Sequence, residues 1–307
     1  MTKALPRWNK FISISTAVLI LAAPLPALAE ECDNQNDTFP GNNPGQTQPM
    51  DLTNADTRKR AEQIISTFEN STTKIQYNYA EKLTDGRGIT AGRSGFTSGT
   101  NDLLLVVQEY LKNTKKTDPI LASYVPALEA VKGTDSTVGL DGFIEAWKQT
   151  YKNDKTVFKS AQDTVYTNLY FNPAMKQAQT AGVKTALGQM IILDTIIQHG
   201  EGDDPDGLPA ILTEVQKAVG PVQPGKEADW LQTFLDARQK HLENAADPAT
   251  RDEWKESVDR VKALRSILNT GNLDLKLPLA WQVYGDKFNL TNSLPFEVIP
   301  KKHEQTL

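Results

Sequence analysis

Cysteine is almost missing from this 307-residue chain: Cys32 stands alone, so no internal disulfide can form. Histidine is scarce too, with three residues, none of them in an HExxH pattern or beside a CxxC pair. The common zinc sites are thereby excluded, and neither a metal nor a cofactor is expected. A GxSxG elbow is absent, which leaves a Ser-His-Asp set without support. An excess of positive charge is also lacking: 33 basic residues face 38 acidic ones, a net charge of −5, which disfavours nucleic acid as a partner. What is present, 39% hydrophobic residues, suffices for one large domain or two lobes and rules out wholesale disorder.

The one long apolar run lies at the start. Lys3, Arg7 and Lys10 precede an apolar stretch from about Phe11 to Leu25, and Ala27, Leu28 and Ala29 form an A-x-A cleavage site. Residues 1–29 therefore read as a secretory signal. The expected location is extracellular, with the periplasm as the alternative, and no membrane contact is expected after cleavage. Removing this segment takes away three basic residues and no acidic one, moving the net charge from −5 to −8, a balance that attracts cations. Residues 30–52 are rich in Asn, Gln, Pro, Gly and Asp, so they cannot offset their own ordering entropy and read as a flexible leader. Cys32 reads as a free thiol within it. Residues 53–307 are expected to form one domain, acting as a monomer.

Amphipathic runs separated by short turn clusters follow, with no repeat of fixed period. The spacing predicts helices at about Ala55–Asn70, Asn101–Lys115, Pro119–Val131, Gly142–Lys152, Val157–Tyr170, Pro173–His199, Pro209–Val219, Ala228–Glu243 and Arg251–Asn269. A mainly α fold is expected. The exception is Thr84–Thr100, whose five glycines, with Ile89, Thr90 and Phe96 between them, read as short strands and tight turns beside a cleft.

Two carboxylates stand out, one before that stretch and one within it. In the first helix Ala61, Ile64, Ile65 and Phe68 mark the buried stripe, and Glu69 continues it four residues after Ile65. A carboxyl in an apolar setting favours its protonated form, as a proton donor must; the bland reading is a glutamate paired with a lysine at a fraying helix end. Asp85 opens an Asp-Gly turn two residues before Arg87, a setting that favours the ionised form, although Asp-Gly is ordinarily just a turn. One carboxyl of each kind on adjacent elements is what glycoside hydrolysis requires.

The blocks ENST (Glu69–Thr72), YNYAEKLTDGRGITAG (Tyr77–Gly92), GFTSGTNDLL (Gly95–Leu104), FLDAR (Phe234–Arg238) and GNLDLKLPLAWQVYGD (Gly271–Asp286) together resemble the chitosanases of glycoside hydrolase family 46. The resemblance covers most of the chain from Ala55 to about Asn289. It implies a lysozyme-like, two-lobed fold with a small β element beside the cleft. It also implies an inverting endo-hydrolase of chitosan and glucosamine oligosaccharides. Glu69 falls on the family's general acid, Asp85 on its general base, and Thr90 on a threonine that helps hold the attacking water. Asp102 falls on a residue that binds a substrate ammonium group, while Tyr79, Arg87 and Glu243 fall on further cleft positions. Thr97 stands where the family often has cysteine. An acidic cleft suits a polymer of free amines better than neutral chitin or peptidoglycan. The rivals are a lysozyme or chitinase acting on N-acetylated chains, and a non-catalytic polycation-binding protein.

Other residues admit structural roles. Ala186–Ile197 is apolar nearly all round, so Asp194 within it needs a cationic partner; the resemblance supplies Arg238 and Arg251 as an internal charge network. Asp203, Asp204 and Asp206 cluster before Gly207, but an EF-hand alignment on that glycine would start at Gly202 and end at Thr213, losing both end carboxylates. The resemblance makes His199 and Asp204 candidate rim contacts. His241 sits on an exposed helix pattern and His303 in the tail. Trp147, Trp230, Trp254 and Trp281 are expected in the core.

Overall fold

The computed structural model of the chain describes residues 51–83, 86–248 and 251–291. The export segment, residues 30–50 of the expected leader, Cys32, Asp85 and His303 lie outside the described residues. Leu52, assigned to the leader on composition, is fully buried, and its N–H donates to Gln189 Oε1 at 2.9 Å. The folded body thus begins earlier than composition suggested.

Helix α1 (Ala55–Asn70) starts at Asn54, whose side-chain oxygen accepts from the N–H groups of Asp56 and Thr57, and stops at Ser71 in the left-handed region. Three short antiparallel strands follow, β1 (Ala80–Lys82), β2 (Ile89–Ala91) and β3 (Phe96–Thr97), with Thr90 opposite both Glu81 and Thr97. Gly92, at φ 78°, turns the chain after β2; a Cβ there would lie 2.6 Å from Gln162 Oε1 and 3.0 Å from the Trp147 ring. Glycine is what lets this hairpin seat directly on the helices behind it.

Those helices form the first lobe. They are α2 (Asp102–Asn113), a 3₁₀ turn at Ile120–Tyr124 running into α3 (Val125–Val131), α4 (Phe143–Asn153) and α5 (Lys155–Tyr166). α2 and α4 pack on α5, and α4 also carries β1 and β2. The expected break before Pro173 does not occur. A π turn at Thr167–Phe171 joins α5 to α6 (Asn172–Ala181), with Asn172 N–H reaching Thr167 O. The wider turn leaves room for a proline that has no N–H to donate and whose ring would crowd the preceding turn. The break comes instead at Gly182, φ 83°, so the expected Pro173–His199 helix is two helices.

The second lobe is built on α7 (Ala186–His199), in which every residue except Gln189 is buried. Each fully buried Leu or Ile there contributes roughly 1.5–3 kcal/mol. Around it lie α8 (Leu208–Val219), α9 (Glu227–Glu243), α10 (Arg251–Glu256) and α11 (Val258–Asn269). The last two were expected as one helix; Ser257 divides them. At Gly188 a Cβ would meet Glu227 Oε1 at 2.6 Å, and that carboxylate accepts from Lys184 N, Thr185 N and Thr185 Oγ1, fixing the start of α7 to α9.

A hairpin closes the described chain: β4 (Leu279–Val283) and β5 (Asp286–Leu290), joined at Tyr284 and Gly285, both at positive φ. Sequence periodicity did not mark it. β4 packs on α11, and Trp281 Nε1 donates to Thr67 Oγ1 at 2.9 Å, bracing the last turn of α1. All four tryptophans expected in the core are buried. No helix among the described residues is long and apolar enough to cross a membrane.

Candidate active site

Glu69 lies one residue from the end of α1, its side chain 10% exposed. The apolar setting expected from its stripe is instead a charged one: Arg260 Nη2 sits 2.7 Å from Glu69 Oε1 and 2.5 Å from Asp194 Oδ1. Arg238 Nη2 completes the set, 2.7 Å from Asp194 Oδ2. Two carboxylates and two guanidinium groups therefore meet where α1, α7, α9 and α11 converge. Burial opposes the ionised form of Asp194, but Arg260 and Arg238 overcome it and hold its carboxyl below the usual carboxylate value. Burial likewise works against Arg260, yet two carboxylates hold its guanidinium above the ordinary arginine value; Arg238, with one, is pulled below it.

Arg251 takes no part in this cluster. It is exposed, and its Nε donates to Ala245 O at 2.8 Å. Arg260 occupies the place expected for it, and the reason is positional. Arg260 falls on the apolar stripe of α11 with Leu264 and Ile267, as Arg238 falls on that of α9 with Leu231, Phe234 and Leu235. A charged residue on a buried stripe is the sequence signal that would have found it.

His199 is not a rim contact. It is 1% exposed, its ring lies edge-on to Trp254, and its Nδ1 is 2.8 Å from Asp206 O. Arg238 Nε donates to its Nε2 at 3.3 Å, so Nδ1 carries the proton and donates to the carbonyl. Burial and the adjacent Arg238 push its pKa well below the ordinary 6.5, and the ring stays neutral. His241, read as exposed, is instead pinned by Asp206 at 2.7 Å and Glu214 at 3.4 Å.

On the hairpin, Thr90 is 5% exposed and its Oγ1 has no hydrogen-bond partner among the described residues. Asp102 is buried at the start of α2. Its Oδ1 accepts from Thr97 N (2.7 Å), Thr100 Oγ1 (2.7 Å) and Leu103 N (2.9 Å), leaving Oδ2 with one long bond from Tyr170 Oη at 3.3 Å. Burial pushes its pKa up despite these donors and nearby Arg87. Arg87 is half-buried, and its carbonyl accepts from Gly99 N. The Tyr79 hydroxyl donates to Glu81 Oε2 at 3.2 Å. Glu243 is exposed at the end of α9 and accepts from Gln239 Nε2 at 2.8 Å. Asp204 lines an open groove of about 550 Å³ with Asp203, Pro209 and Glu214. Asp85 itself lies outside the described residues.

A second ion cluster, unmarked in the sequence, grips α1 two turns before Glu69. Glu62 accepts from Arg58 Nε at 2.8 Å and pairs with Arg93 Nη2 at 2.9 Å, while Arg93 Nη1 pairs with Asp163 on α5. A small, partly open space of about 10 Å³, the room of about one water, is lined by residues of both clusters, Glu62 and Arg93 on one side and Glu69 on the other, with Ser94 and Tyr166. Among the described residues no group of three or more His, Cys, Asp or Glu could hold a metal ion.

A helical, lysozyme-like body with a largely buried carboxylate near a Gly-rich hairpin fits a glycoside hydrolase. The model of glycosyl hydrolase family 46 matches residues 63–279. A Bacillus subtilis (strain 168) chitosanase is 48% identical over 230 residues, covering 74% of this chain and 82% of its own. The crystal structure of native chitosanase from Bacillus subtilis MY002 is 44% identical, with a TM-score of 0.70 over 78% of this chain and 99% of its own. The Gynuella sunshinyii family 46 chitosanase in complex with chitotetraose is 43% identical, with a TM-score of 0.70 over 77% and 98%. The chain belongs to glycosyl hydrolase family 46.

Proposed function

We propose that the chain is a secreted endo-chitosanase that hydrolyses β-1,4 linkages between glucosamine units with inversion. The observation that carries the chemistry is the coupling of Glu69 to Arg260 at 2.7 Å. As Glu69 gives its proton to the glycosidic oxygen, the carboxylate left behind faces a fixed guanidinium. The cluster with Asp194 and Arg238 then balances at two charges of each sign, without reorganisation of solvent. Asp85 acts as the base, drawing a proton from a water that Thr90 Oγ1, unpartnered among the described residues, helps to hold. An inverting enzyme keeps its two carboxyls roughly 6.5–9.5 Å apart to admit that water.

Substrate choice follows from charge. The chain's net charge of −5 draws a polymer of ammonium groups, and Asp102 Oδ2, the less occupied oxygen of that carboxylate, is the acceptor for one of them. Tyr79, Arg87, Glu243 and Asp204 remain proposed cleft contacts. The related chitosanases, one of them in complex with chitotetraose, support the same substrate class.

The test is reducing-end release from chitosan, chitin and peptidoglycan by the wild type and by Glu69→Gln. Chitosan should be cleaved preferentially, with the variant slower by roughly 100- to 10,000-fold, the usual range for loss of a general acid, yet still binding glucosamine oligomers. Proton NMR of fresh hydrolysate should give the α-anomer first; initial β-anomer would rule out inversion.

A further inference from the structure

We propose that Arg93 is a positioning residue for hydrolysis: its side chain sets the gap between the helix carrying Glu69 and the hairpin carrying Thr90. The inference rests on the function proposed above. Arg93 follows Thr90 by three residues, just past the Gly92 turn. Its guanidinium reaches across to Glu62, which precedes Glu69 by seven residues and so lies on the same face of α1, two turns back. One side chain therefore spans the two elements that must hold acid and water at a fixed separation.

The span is stiff. Arg93 is 7% exposed, and its guanidinium is fixed at three points: Glu62 at 2.9 Å, Asp163 on α5, and the face of Tyr166, whose ring centroid is 3.9 Å away. Its backbone N–H donates to Gln162 Oε1 at 3.1 Å. Asp163 also accepts from Tyr77 Oη at 2.8 Å, tying the segment before β1 into the same cluster. Glu62 is held from its other side by Arg58, whose Nη2 donates to Thr167 Oγ1 at 2.8 Å in the π turn. Two carboxylates and two guanidinium groups again meet, and the buried Arg93 cannot shift without weakening its pairing to Glu62, itself largely buried. Arg93 and Glu69 line one small, partly open space of about 10 Å³, so the two side chains are near neighbours.

A planar guanidinium bridges two carboxylates; an ammonium on a flexible stem cannot hold both at this geometry. Displacing a reacting group by about 1 Å costs up to roughly 100-fold in rate. Because Arg93 is 7% exposed and engaged with Glu62, Asp163 and Tyr166, its loss should act on kcat and spare KM. The experiment compares wild type, Arg93→Lys, Glu62→Gln and Arg93→Met on chitosan, each assayed well below its own melting temperature. We expect kcat to fall by roughly 10- to 100-fold in Arg93→Met, less in Arg93→Lys and Glu62→Gln, with KM within about twofold throughout. If Arg93→Met fails to fold, Arg93→Lys and Glu62→Gln decide the matter, since each keeps hydrogen-bonding groups in the cluster. Lowered melting temperatures with wild-type kcat would make Arg93 merely structural, and a raised KM at unchanged kcat would make it a binding residue. Either result overturns the proposal. A wild type that releases no reducing ends from chitosan would sink the underlying reading and this role together, whereas an active wild type with an unaffected Arg93→Lys would sink this role alone.

Discussion

Asp194 and Asp102 are both buried carboxylates, one in the middle of α7 and the other at the start of α2, and their surroundings act on them in opposite directions. Asp194 faces two guanidinium groups, which overcome its desolvation and favour the charged form. Asp102 is bonded by neutral donors, two backbone N–H groups, a threonine hydroxyl and the more distant Tyr170 hydroxyl, with Arg87 only nearby, and desolvation wins. Hydrogen bonds from neutral groups soften the cost of burying a charge, whereas a paired cation at 2.5–2.7 Å removes it. The first arrangement suits a fixed anchor beneath Glu69. The second leaves Oδ2 of Asp102, the proposed acceptor for a substrate cation, with one long bond among the described residues.

The sharpest way to break this contrast is to delete the anchor. Asp194→Ala leaves Arg238 and Arg260 buried without their shared anion and should cost roughly 3–5 kcal/mol, read as a large drop in melting temperature. An unchanged melting temperature would mean that the network does not hold the lobe together. Asp194→Asn should destabilise less, yet should still lower kcat, because Arg260 would lose one of the two carboxylates that fix it against Glu69.

A milder effect is expected on the other side. Asp102→Asn keeps an acceptor for Thr97 N and Leu103 N, so stability should change by only about 1 kcal/mol. Its affinity for glucosamine oligomers should fall, and that affinity should depend less on salt than in the wild type. Binding that is indifferent both to this substitution and to salt would remove Asp102 from substrate recognition.

The smallest effect separates the two by pH. In the unfolded chain both carboxyls titrate near their ordinary value of about 3.9. Asp194 is lowered on folding, so its contribution is present above that value and lost as pH falls through its folded pKa. Asp102 is raised, so its ionised form costs stability above its folded pKa, and that cost disappears as pH falls toward the unfolded value. Urea unfolding between roughly pH 3 and 6 should therefore show that Asp102→Asn removes a gain on acidification, whereas Asp194→Asn removes a loss at the acid end. Parallel pH profiles for both variants would contradict the opposite environments.

Much of the fold was legible because its signals are local. The stripe Ala61, Ile64, Ile65 and Phe68 gave α1 its bounds and its buried face, and the all-apolar run around Asp194 marked α7 as central and required a cation for its one charge. The breaks at Gly182 and Ser257 and the continuity through Pro173 were missed, since a π turn and a helix interruption depend on what packs outside them. The hairpin Leu279–Leu290 escaped because its alternating buried residues Leu279, Trp281 and Val283 form too short a run to stand out beside nine helical patterns.

By itself the sequence determined which residues could do the chemistry: a glutamate ending a buried stripe, a Gly-rich hairpin bearing Thr90, an aspartate that could not be buried alone, and an acidic balance suited to a cationic polymer. Only the tertiary structure decided which charges meet. That Arg260 rather than Arg251 pairs with Asp194 and Glu69, that His199 is sealed in the core, and that Arg93 reaches Glu62 are facts about side chains 31 to 191 positions apart. Periodicity tells a residue which face it lies on, but the partner opposite that face is set by how separate helices dock, and long-range electrostatic pairing leaves no periodic trace in the chain.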